Sequence, residues 1–128
     1  MDCNFFCTLF ANMNRNVKAG ERAPHKLILM LAIIDEIGKG NIASNIIVLD
    51  NELRNSFTEQ WIKYIGHSSV FSPVARTPFI HLDYEPYWTL LNTEPRKPLK
   101  AILDNNLFAL LQDESSREIL AQRLIDLI

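Results

Sequence analysis

The chain has 128 residues, 48% of them hydrophobic and 22% charged, with a formal net charge of −2. That length suits one domain around a single core, the composition is that of an ordinary globular protein, and no apolar run approaches the roughly 18 residues of a membrane span. The charge balance gives no general attraction to nucleic acid, so such binding would need local clustering of cations.

The start, MDCNFFCTLF, carries an acid where a signal peptide has basic residues, and it lacks a small-residue cleavage site, so a cytoplasmic location is expected. A first helix is expected from Asp2 to Val17, with Phe5, Phe6, Leu9, Phe10 and Met13 on its apolar face. Cys3 and Cys7 fall on one face of that helix and read as buried free thiols, too few ligands for zinc. A second helix runs from Pro24, suited to a first helical position, to Ile37, and Gly38 and Gly40 stop it. It is apolar at nearly every position from Leu27 to Ile34, the mark of a central buried helix.

The run IIVL then suits a short strand, and Asp50 caps a third helix whose Leu53, Phe57, Trp61 and Ile65 recur every four residues before Gly66. HSSVFSPVARTP reads as a loop, and FIHLDYEPYWTLLN as a β-hairpin bent near Pro86. After the Pro-rich NTEPRKPLK, a short strand and a helix fit AILDNNLFALLQ. Ser115 and Glu118 have the spacing of a capping box for a last helix. Ile119, Leu120, Leu124, Ile125 and Ile128 carry that helix's apolar stripe to the final residue, so part of it is expected to be exposed or to mediate self-association. The order predicts one α+β domain over residues 1–128, mostly helical and winged-helix-like, with a small β-hairpin.

His25, His67 and His81 belong to no metal or acid–base motif, and four glycines make no phosphate loop, so no catalytic site, metal or cofactor is expected. More informative is the start of the second helix. Arg22, His25 and Lys26 stand where the helix dipole is positive and carboxylates are preferred. Free N–H groups at such an end bind oxyanions, and an anion there would make the cations favourable. The alternative is that Lys26 snorkels into solvent and His25 is hydrogen-bonded in the core. In PVARTPFIHL, Arg76, Thr77 and Pro78 form a second candidate, with strand alternation putting Phe79 and His81 on one face. Arg96, Lys97 and Lys100 read as a solvated loop.

RAPHK running into an apolar helix, LDNELRNSFTEQW after a short strand, PFIHL with YWTL, and the closing LFALLQDESSREILAQRLI occur in this order in a bacterial family. From about Arg22 to Ile125 the chain resembles the N-terminal region of HNH-type restriction endonucleases, including McrA-type members whose module binds phosphorothioate DNA. The resemblance implies that His25, Lys26 and Pro78 line a DNA-facing surface, with Arg22 and Arg76 as phosphate contacts and Thr77 and His81 beside them. Leu27 replaces a second proline of the family, and Thr77 an aromatic residue of its sulfur-binding members. Double-stranded DNA, plain or modified, is thus the implied partner. Family members continue into a catalytic HNH domain that binds a divalent ion, whereas this chain stops at LIDLI. A non-catalytic targeting module is therefore expected, with a nuclease domain or a second copy as protein partner. The rival reading is a protein-interaction module that docks a partner chain through its C-terminal amphipathic helix.

Overall fold

A helix that is apolar on every side is stable only where every side is covered, and the computed structural model, which describes residues 2–67 and 70–128, places one at the centre of the molecule. This helix, α2 (His25–Gly38), buries every residue from Lys26 to Ile34 and also Glu36 and Ile37. Three other helices pack on it: α3 (Asn51–Tyr64), α4 (Arg76–His81) and α6 (Glu114–Leu127). Each fully buried aliphatic side chain of α2 contributes about 1.5–3 kcal/mol relative to exposure. The first helix, α1 (Cys3–Ala11), packs on α6 through Phe6 and Phe10, and α5 (Asn105–Leu110) buries Leu107.

The architecture is α+β and mostly helical, as expected. A three-stranded antiparallel sheet has the order β3 (Ile46–Val48), β5 (Lys100–Leu103), β4 (Trp88–Asn92). Ile47 pairs with Ala101, and Trp88 with Leu103; these four side chains are buried, while Ile46 and Thr89 on the other face are exposed. A bulge between Leu90 and Asn92 shifts the register by one residue. Asp50 caps α3 as expected, its carboxylate accepting from Leu53 N at 2.9 Å, and Leu53, Phe57 and Trp61 form the buried stripe. Gly66, at φ +79°, ends the helix in a left-handed conformation that suits glycine. Among the described residues no helix is long and apolar enough to cross a membrane.

Several local readings are corrected. The first helix stops at Ala11 instead of Val17, because Asn12, Asn14 and Asn16 are poor helix formers. Beyond it the chain forms a ribbon, β1 (Val17–Lys18) and β2 (Glu21–Arg22), turned by Ala19 at φ +53° and Gly20 at φ +79°. Pro24 stands at the N-cap of α2 instead of its first helical position. Residues 76–84 are the helix α4 and a 3-10 turn, Leu82–Tyr84, where the end of a loop, to Pro78, and the start of a strand, from Phe79, were expected. Phe79 and Leu82, three apart, are buried together, and Pro78 in the first turn needs no N–H partner. Trp88 fixes this arrangement, its indole donating to the Phe79 carbonyl at 3.0 Å with the two rings edge to face.

The β-hairpin is formed one step later, by β4 and β5 across the Pro-rich connection. Arg96 and Lys97 are exposed in that connection, with Lys97 paired to Glu94, whereas Lys100, expected in the same solvated loop, is an exposed residue of strand β5. The capping box of Ser115 and Glu118 is replaced by Asp113, which accepts from Ser116 N at 3.0 Å. Along α6, Leu120 and Leu124 are fully buried while Ile119 is 52% and Ile128 39% exposed, so the apolar stripe is only partly covered. Cys3 and Cys7 are free and half-buried, and burial pushes the Cys7 thiol up from its ordinary value. Ser68 and Ser69 of the expected loop lie outside the described residues.

Candidate functional site

The β1–β2 ribbon stands on one side of the N-terminal end of α2, and α4 with its 3-10 turn stands on the other. Between them lies an open groove of about 1040 Å³. It brings together five of the seven residues singled out from the sequence: His25, Lys26, Thr77, Pro78 and His81. Arg22 is exposed on β2 and lines a smaller adjoining depression with Tyr64 and Ile128. Arg76 opens α4 and is exposed, outside both concavities.

The cationic start of α2 is explained by long-range partners. Lys26 is buried, and its ammonium lies 3.1 Å from the Glu85 carboxylate, with the side chains only 10% and 5% exposed. The same carboxylate oxygen accepts from Asn14 N at 3.2 Å, so one buried acid joins the end of the α1 segment, α2 and the turn after α4. Lys26 therefore neither snorkels nor carries an unpaired charge. A desolvated ion pair of this kind is stable only when both members stay paired.

His25, the first residue of α2, is half-buried between Trp61 and Phe71, with ring centroids 4.8 and 5.5 Å away. Its Nε2 lies 2.7 Å from the Ser72 carbonyl, which only accepts, so Nε2 carries the proton. Burial lowers the pKa of the ring from its ordinary value, partly opposed by the hydrogen bond to Ser72. Around neutral pH it is an uncharged residue that holds the 71–74 segment against α2, close to the hydrogen-bonded alternative read from the sequence.

The groove also contains residues that the sequence reading did not select: Asn14, Arg15, Asn16, Lys18 and Tyr84. Expecting a helix to Val17 concealed the first three; asparagines at every second position, 12, 14 and 16, were the available signal against it. Arg15 braces the ribbon: its Nε donates to the Ala23 carbonyl at 2.8 Å, and its terminal nitrogens to Leu127 and Arg22 carbonyls at 3.3 and 3.4 Å. Scanned against models of known protein families the chain matches none, and no curated protein matches it. Residue chemistry has to carry the functional reading.

That chemistry is one-sided. The groove is lined by Arg15, Lys18, Lys26 and two histidines, with no carboxylate among its lining residues. Acids outnumber bases 15 to 13 in the whole chain, so this face is set apart from the average surface. Once Lys26 is cancelled by Glu85, Arg15 and Lys18 keep their charges without an ion-pair partner among the described residues. Tyr84 stands at the edge, 76% exposed, with the Lys26 ammonium 5.9 Å from its ring centroid and His81 at 6.1 Å. Among the described residues no three His, Cys, Asp or Glu side chains gather as a metal site.

Proposed function

We propose that the chain is a DNA-binding specificity module of the restriction-endonuclease type it resembles, non-catalytic by itself, which engages double-stranded DNA with the face that holds the groove. The observation that carries the reading is the groove itself: on a net acidic chain, its charged lining residues are all basic, beside neutral polar and apolar ones and without a carboxylate. A polyanion is attracted to such a face and repelled by much of the remaining surface.

The order of elements supports the same reading. We read helix α2, strand β3, helices α3 and α4, then the β4–β5 hairpin, with sheet order β3-β5-β4, as a winged-helix-like order. In that arrangement α4 occupies the place of a recognition helix, and it carries Arg76, Thr77 and His81. The connection from α3 to α4, residues 65–75, is longer than the usual turn between such helices. On the other wall, Lys18 and Arg22 lie on a two-stranded ribbon, an element that a major groove admits. The implied preference for a phosphorothioate would rest on Pro78, Phe71 and Val74, which give the groove its apolar part.

The test is a salt series of binding to plain, methylated and phosphorothioated duplexes of one sequence. Lys18→Ala, Arg22→Ala and Arg76→Ala are each expected to weaken binding to all three and to lower the salt slope by about one. These side chains are exposed, so the fold should tolerate their loss. Unchanged affinity and slope in all three variants would remove this face as the DNA surface.

A further inference from the structure

The floor and the rim of the groove differ in chemistry, and the difference bears on what enters it. On the floor the Lys26 ammonium is held by Glu85, the His25 N–H by the Ser72 carbonyl, and Pro78 is buried beside them. None of these offers an unpaired charge to an incoming anion. The rim is different: the side chains of Asn14, Asn16, Lys18 and Thr77 make no hydrogen bond to another described residue. Tyr84 presents an aromatic face there that is mostly open to solvent.

A track for phosphates alone would place free cations along the floor, where ligand atoms lose most of their water. Here His25, Lys26 and Pro78 leave no unpaired charge, Arg15 spends its N–H groups on backbone carbonyls, the exposed Lys18 has no ion-pair partner among the described residues, and two amides, each both donor and acceptor, line the same groove as an exposed ring. The matching ligand is a flat heterocycle, apolar on its faces and hydrogen-bonding at its edges, attached to an anion that stays outside. Its size is no obstacle, since about 1040 Å³ exceeds what a nucleotide needs.

Resting on the DNA reading above, we propose that the groove takes a single unstacked nucleobase, stacked on Tyr84 and read at its edge by Asn14 and Asn16, with the flanking phosphates on Lys18 and Arg22. A base inside an intact duplex cannot reach the floor, so the site favours nucleotides that are already unpaired, for which extrusion costs least. Tyr84 supplies the stacking platform, and the Lys26 ammonium, held by Glu85, lies 5.9 Å from its ring centroid.

The experiment compares three probes by fluorescence: a paired duplex, the same duplex with a central 2-aminopurine opposite an abasic site, and adenosine monophosphate. The unpaired duplex is expected to bind roughly tenfold more tightly than the paired one. Tyr84→Ala should abolish that preference and Tyr84→Phe should keep it, while Lys18→Ala should weaken both duplexes alike. Equal affinity for the two duplexes, or a preference that survives Tyr84→Ala, would overturn the nucleobase site and leave the DNA reading standing. Tyr84-dependent binding of adenosine monophosphate with neither duplex bound would keep the nucleobase site and remove the DNA reading. Binding of none of the three would overturn both.

Discussion

Replacing Lys26 by Met keeps a long apolar stem of similar reach and removes only the charge, so it isolates the worth of the buried pair with Glu85. The pair is 3.1 Å apart with both side chains at or below 10% exposure. With Lys26 gone, the Glu85 carboxylate stays buried and among the described residues retains only the Asn14 N–H as a partner. Breaking such a pair from one side costs about 3–5 kcal/mol, a large part of the roughly 5–15 kcal/mol that holds a domain folded. For a urea slope near 2 kcal/mol/M, the unfolding midpoint should fall by about 1.5–2.5 M. The double change Lys26→Met/Glu85→Gln removes both charges and leaves an amide oxygen for Asn14, so it should recover most of that loss. A single variant that costs under about 1 kcal/mol, the value of an exposed pair, would refute the assignment. So would a double variant no more stable than the single. Lys26→Ala is accordingly a poor probe of phosphate contact, because loss of the fold would masquerade as loss of binding.

Three further outcomes are expected. Burial holds the His25 pKa below its ordinary value of 6.5, so the unfolded chain takes up a proton first. Stability from this group is complete above the ordinary pKa and is lost as pH falls from there towards the folded pKa. His25→Phe should flatten the change in urea midpoint between neutral and mildly acid pH; an unaltered pH profile would place the dependence elsewhere. Tyr87→Phe should stabilise by about 1 kcal/mol, because the buried Tyr87 hydroxyl has no hydrogen-bond partner among the described residues and leaving one unpaired costs about that much; a loss in thermal denaturation would mean the hydroxyl is satisfied. Ala19→Asn, at φ +53° ahead of Gly20, should gain roughly 0.5–1 kcal/mol, since asparagine tolerates the left-handed region better than alanine; a lowered midpoint would show that the ribbon turn is not under that strain.

By itself the sequence determined what local periodicity and capping control. The all-apolar run from Leu27 to Ile34 marks a central helix, the four-residue recurrence of Leu53, Phe57 and Trp61 with Asp50 ahead of it marks a capped amphipathic one, and IIVL, too short for a helix, suits a strand. Five residues of the candidate groove were also legible, because cations at a helix start and a proline-stiffened entry break ordinary local rules.

Tertiary structure decided what those residues are doing. Glu85 lies 59 positions from Lys26 and 71 from Asn14, and no local pattern couples them; only the folded chain turns a cation that opposes a helix dipole into half of a buried pair. The run from Phe79 to Leu82 reads as a strand by alternation, yet burial of Phe79 with Leu82 and the Trp88 bond to the Phe79 carbonyl select a helix. That choice turns His81 and Tyr84 towards the ribbon and so creates the groove. Short elements are decided this way because their intrinsic preferences amount to a few tenths of a kcal/mol per residue, whereas each buried side chain contributes several times as much.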